Sequence, residues 1–198
     1  MSADTQTLDE GAVASYLTQH LLGFAGPMEV SKFQTGQSNP TFMLKTPTQT
    51  YVLRRKPLGV LLKSAHAVDR EFRVQKALYG SGVPVSKMHL LCEDDTVIGS
   101  MFYIMDHVPG RNFNEPAMPA LSPADRGGVI DEMGRVLAVL HEVDIAAVGL
   151  TDYGPVGNYF ERQVARWSKQ YRASETQKNP AMDDLMVALV EAQPDDDG

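Results

Sequence analysis

A single cysteine, Cys92, stands in 198 residues, so the chain can close no internal disulfide and assemble no cysteine-based metal site. Long apolar runs are missing too. No stretch approaches the ~18 residues that span a bilayer, and the polar, acidic start lacks the basic and apolar regions of a signal peptide. A reducing cytoplasm is the expected setting, with no membrane partner. Positive charge is scarce: 18 Lys and Arg against 25 Asp and Glu leave a net charge of −7. Nucleic acids select basic faces, so no nucleic-acid partner is expected. A mononucleotide needs only a local cluster of cations and backbone N–H groups, and that remains open. Repeats, low-complexity tracts and heptads are absent. What is present is 43% hydrophobic and 22% charged, the composition of a globular protein with one domain, or a small domain and part of a second.

Hydrophobic spacing predicts an amphipathic helix over Asp9–Leu22, through Val13, Tyr16 and Leu17, broken by Gly23 to Pro27. Strands are predicted at Glu29–Gln34, Thr41–Thr46 and Thr50–Arg55, separated by turn-forming residues. A helix over Ala65–Tyr79 follows, with Ser64 as N-cap and Gly80 and Gly82 as its stop. Two further strands are expected at Lys87–Cys92 and Ser100–Met105. Strands interrupted by one helix give an α+β lobe, not a doubly wound sheet.

From Pro109 onward the pattern turns helical. Ser122-Pro123-Ala124-Asp125 reads as a helix start. Beyond it Val129, Ile130, Met133, Val136, Leu137 and Leu140 form an apolar stripe that needs burial. A second helix, capped by Asn158, carries Phe160, Val164, Trp167 and Tyr171 on one face, and a third spans Pro180–Ala192. These stripes hold more apolar area than three helices can cover among themselves. Part of the set Val129, Met133, Leu137, Phe160, Trp167 and Tyr171 is therefore expected at the surface. The final Pro194-Asp195-Asp196-Asp197-Gly198 reads as a surface loop, and truncation of a longer protein is the expectation it raises.

Several short motifs occur in an informative order. Gly36-Gln37-Ser38-Asn39-Pro40-Thr41 lies between the first two strands, and Tyr51-Val52-Leu53-Arg54 ends the third. Arg70-Glu71-Phe72 sits on the inserted helix, and Phe102 to Gly110, with Met105-Asp106, leads out of the last strand. Asn158 to Gln163, with Arg166-Trp167, opens the second helix of the C-terminal part. Strand alternation puts Val52, Arg54 and Lys56 on one face and Arg55 on the other. Glu71, at the edge of an apolar helix face, needs a cationic partner, and Arg54 supplies it.

Together these motifs resemble the aminoglycoside phosphotransferase and choline kinase-like superfamily, whose layout is protein-kinase-like. Within it they are most similar to the kinase domain fused to acyl-CoA dehydrogenases. The resemblance implies a nucleotide-binding lobe with its hinge at 28–108, after an N-terminal helix and lead-in at 1–27. An incomplete helical substrate lobe would follow at 109–198. It also implies an ATP- and Mg2+-dependent transfer of the γ-phosphoryl group to a small-molecule hydroxyl, possible acceptors including a hydroxyacyl-CoA or related metabolite. Nucleotide-binding roles fall on Gly36, Gln37, Ser38, Asn39, Val52, Arg54, Glu71, Met105, Asp106 and Val108. Lys56 is the alternative cation. In this reading Val52 roofs the adenine, Arg54 meets the phosphates, and the carbonyl of Asp106 and N–H of Val108 read the base. The family's His-Gly-Asp, its following Asn and its metal-binding Asp occur nowhere in the 198 residues. The catalytic Asp and the metal ligands are expected beyond Gly198. His141 and Asp144 read as a helix end and not as a catalytic loop. A non-catalytic nucleotide-binding module or pseudokinase is the alternative function, and a homodimer is left open.

Overall fold

The computed structural model describes residues 7–33, 39–59 and 66–194. They form two compact units, Met1–Leu150 and Thr151–Gly198. The first unit contains helix α1 (Glu10–His20) and strands β1 (Glu29–Lys32), β2 (Thr41–Lys45) and β3 (Thr50–Arg55). Helix α2 (Val68–Leu78), strands β4 (Met88–Cys92) and β5 (Phe102–Asp106) and helix α3 (Pro123–His141) complete it. The five strands make one antiparallel sheet in the order β1-β2-β3-β5-β4. The chain leaves β3, runs through α2 to the far edge, and returns by β5 into the gap beside β3. This is the α+β lobe expected from the strand and helix pattern.

Each face of the sheet is covered by one helix. On one side α1 contributes Val13 and Leu17, spaced by four residues so that they share a stripe, and its C-cap contributes Leu21. They pack with Phe42, Leu44, Leu53, Phe102 and Ile104. Asp9 caps this helix, accepting from the Ala12 N–H at 2.9 Å. On the other side Val68 and Phe72 of α2 pack on Met88 and Tyr103, with the Phe72 and Tyr103 rings 6.1 Å apart. β3 buries Tyr51, Val52, Leu53 and Arg55 and leaves Thr50 and Arg54 half-buried, so both of its faces are covered, as befits a central strand.

Some element boundaries differ from the sequence expectation. Helix α2 begins at Val68, and its N-cap, Ala67, makes no side-chain cap bond. His66 has a left-handed φ of 61°, which a helix cannot continue through. The expected cap, Ser64, and the end of the first strand, Gln34, lie outside the described residues. In α3 the expected start holds: Ser122 Oγ accepts from the Asp125 N–H at 3.1 Å and donates to its carboxylate at 2.7 Å. Ser122→Ala should therefore cost α3 about 1 kcal/mol, seen as faster amide exchange in its first turn.

The second unit holds α4 (Tyr159–Ser174) and α5 (Pro180–Glu191). Arg172, near the end of α4, reaches Asp183 in the first turn of α5 at 2.5 Å. Asn158 occupies the N-cap position of α4 but with φ 51°, and its side chain makes no cap bond. A capping side chain works from an extended backbone, which is why the expected cap fails here. Of the six stripe residues, Met133, Leu137, Phe160 and Trp167 are exposed and Val129 and Tyr171 half-buried. None is fully buried, in line with the expectation.

Candidate functional site

Sheet register builds the site. Thr41 on β2 is the Cα partner of Arg54 on β3, and Arg54 is the partner of Tyr103 on β5. Directly paired residues project to the same face, so Thr41, Arg54 and Tyr103 form one row under α2. The next row is Met43, Val52 and Met105, an apolar strip beside the charged one.

Helix α2 brings Glu71 over the first row. Arg54 Nε donates to Glu71 Oε2 at 2.8 Å, with side chains 26% and 33% exposed. The strand alternation and helix edge predict this pairing, and Lys56 takes no part in it. Tyr103 donates to the same oxygen at 3.1 Å, while Asn39 Nδ2 donates to Oε1 at 3.0 Å. Three donors from three segments hold one carboxylate. Arg54 Nη1 also donates to Thr41 Oγ1 at 3.1 Å. Its contacts among the described residues use Nε and Nη1, leaving the Nη2 edge of the fork for an anion.

Burial pushes the Tyr103 phenol well above the ordinary tyrosine range; the Glu71 carboxylate adds to the effect and Arg54 opposes it. Folding therefore favours the protonated phenol, and this contribution is present at neutral pH and lost only as pH rises beyond the ordinary tyrosine range. Tyr103 stays an O–H donor to Glu71 throughout the physiological range.

The end of β5 is fixed from the opposite face. Asp106 Oδ1 accepts from His89 Nε2 at 2.6 Å and Gln49 Nε2 at 2.7 Å. Gln49 Oε1 in turn accepts from the Tyr51 hydroxyl at 3.2 Å. Burial, then the Asp106 charge, raises the Tyr51 phenol. Asp106 donates its N–H to the Lys87 carbonyl at 2.9 Å, and the His107 N–H meets the Thr50 carbonyl at 3.2 Å. Val108, the next residue, is exposed.

Of the sequence-predicted residues, Asn39, Val52, Arg54, Glu71 and Met105 therefore share one face. Asp106 and Val108 lie where β5 ends, and the side chain of Asp106 serves the opposite face. Gly36, Gln37 and Ser38 lie outside the described residues. Sequence reasoning missed Tyr103, Thr41, His66 and the side-chain role of Asn39. Tyr103 left a trace: it is two residues before Met105 on a buried strand, and a buried phenol requires a partner.

Comparison with known proteins places the chain among phosphotransferases. The model of the Phosphotransferase enzyme family (APH) matches residues 29–198. Acyl-CoA dehydrogenase family member 11 of Rattus norvegicus is 46% identical over 193 residues, covering 96% of this chain and 25% of that protein. Family member 10 of Mus musculus is 45% identical over 187 residues, covering 93% of this chain and 17% of that protein. A solved Ralstonia eutropha structure, described as an aminoglycoside phosphotransferase, matches with a TM-score of 0.81 at 51% identity. The match covers 96% of this chain and 55% of that one. The chain thus spans a quarter or less of these curated relatives.

Proposed function

The chain belongs to the phosphotransferase enzyme family, and on that premise we propose that it forms the ATP-binding part of a kinase acting on a small-molecule hydroxyl. The observation that carries this reading is the Arg54–Glu71 pair, set beside the apolar strip of Val52 and Met105. Phosphoryl transfer depends on charge neutralisation and alignment more than on covalent help from the protein. ATP, when bound, supplies the transferable phosphoryl group. The residues present fit it: Arg54 offers an open guanidinium edge to phosphate oxygens, and Val52 and Met105 offer a flat apolar face to adenine. The carbonyl of Asp106 and the N–H of Val108 are the proposed readers of the base edge, and the main chain of the loop at 35–40 the proposed cover of the phosphates, the Asn39 side chain being taken up by Glu71. In this reading 28–108 is the nucleotide lobe with its hinge, and 109–198 begins the substrate lobe.

Among the described residues, no group of three or more His, Cys, Asp or Glu is placed to hold a metal ion. We assign the Mg2+ ligands and the acceptor-orienting carboxylate to a catalytic loop outside these 198 residues. The purified 198-residue chain should then bind ATP but show no turnover in a coupled ATP-consumption assay. Magnesium-dependent consumption abolished by Arg54→Ala would contradict that assignment. Since the relatives are named acyl-CoA dehydrogenases, a hydroxyacyl thioester is the favoured acceptor class over an aminoglycoside. Phosphorylation of a hydroxyacyl-CoA, but not of an aminoglycoside, by the protein of the complete reading frame would support this preference, and the reverse would remove it.

A further inference from the structure

We propose that Asn39 is a positioning residue that holds helix α2 in its Arg54-paired position, and that His66 sets the orientation of the Asn39 amide. The proposal rests on reading this face as the nucleotide site. It assigns Asn39 a role through Glu71, not a contact with the nucleotide.

Asn39 is 2% exposed, and a buried carboxamide must satisfy both of its ends. Its two ends are distinguishable here. A carboxylate only accepts, so the atom 3.0 Å from Glu71 Oε1 is the amide nitrogen. The amide oxygen then faces His66 Nδ1 at 2.8 Å, and that ring nitrogen must carry a proton to donate. His66 reaches this place with a left-handed backbone, φ 61°, a conformation that a non-glycine residue keeps only when its surroundings enforce it.

Asn39 also reaches the other half of the pair through its main chain. Its carbonyl accepts from Thr41 Oγ1 at 3.0 Å, and the Thr41 hydroxyl in turn accepts from Arg54 Nη1 at 3.1 Å. One residue therefore touches Glu71 through its side chain and Arg54 through a single intervening hydroxyl. With Oε2 already occupied by Arg54 and Tyr103, Asn39 is the side-chain donor that holds Oε1 among the described residues. Loss of that donor frees Glu71 to rotate and relaxes the guanidinium that it aligns.

A double-mutant cycle separates this role from direct nucleotide contact. The affinities of ATP and adenosine are measured by calorimetry for the parent chain, Asn39→Ala, Glu71→Ala and the double variant. Coupled neighbours predict that Asn39→Ala weakens ATP about tenfold in the parent and less than about twofold in the Glu71→Ala background, with adenosine unchanged. A tenfold loss in both backgrounds would overturn the proposal, because it would mean that Asn39 touches the ligand itself. If Asn39→Ala does not fold, Asn39→Asp keeps the shape, replaces the donor by a charge that repels Glu71, and is read the same way. If the parent chain binds no nucleotide, the functional reading fails. Hydrogen exchange in the nucleotide-free protein then decides the positioning role. Faster exchange across Val68–Leu78 in Asn39→Ala, with the α3 surface variant Arg135→Ala as an unchanged control, supports it; parent-like exchange overturns it.

Discussion

Arg54→Met should lower ATP affinity about 100-fold and leave adenosine affinity within about twofold. The expected loss corresponds to about 2–3 kcal/mol, the range for a hydrogen bond to a charged group. Methionine keeps an unbranched apolar stem, so packing beside Val52 changes little while the charge and the fork disappear. Glu71 would still accept from Tyr103 and Asn39, which limits the structural damage. Arg54→Lys should recover only part of the affinity. A lysine has the charge but cannot make the Glu71 and Thr41 contacts from one rigid plane. Calorimetric titration with ATP, ADP and adenosine checks the series. Equal weakening of all three nucleotides would show that Arg54 supports the fold and not the phosphates.

Leu53→Ala should carry the largest stability loss. Leu53 is fully buried in the central strand, between Phe42 on β2 and Ile104 on β5. Truncating a fully enclosed leucine costs about 2–5 kcal/mol, because the cavity adds to the lost transfer energy. Leu137→Ala removes the same atoms from a position that is 52% exposed, and should change stability by less than about 0.5 kcal/mol. Urea unfolding of both variants gives the comparison. A large loss at Leu137 in this chain would mean that the α3 stripe is covered in solution.

The Arg54–Glu71 pair was legible because two periodicities converge on it. Strand alternation fixes which side Arg54 faces, and the apolar spacing of the helix leaves Glu71 at its edge. The rest of the network was not legible. Asn39 stands in Ser38-Asn39-Pro40, ordinary turn chemistry, and its partners are 27 and 32 residues away. No local pattern encodes such contacts. Arg55 teaches a related lesson. Alternation correctly turned it from Arg54, but the run Arg54-Arg55-Lys56 reads as a solvated strand end. Arg55 is in fact 1% exposed, with its guanidinium 5.7 Å from the Phe42 ring centroid and bonded to the Thr7 carbonyl at 3.1 Å. What lies across a strand is set by tertiary packing, here the residues leading into α1. The C-terminal stripes show the same limit: Met133, Leu137 and Trp167 were readable as apolar faces, whereas their exposure depends on what packs against them.

The central claim is that Arg54, held by Glu71, meets the phosphates of a nucleotide whose base lies over Val52 and Met105. A crystal structure of this chain with a non-hydrolysable ATP analogue tests it most directly. The account predicts a phosphate oxygen within hydrogen-bond distance of Arg54 Nη2, with the Arg54–Glu71 contact intact and adenine against Met105. Phosphates seated on Lys56, or an adenine placed away from the end of β5, would contradict it.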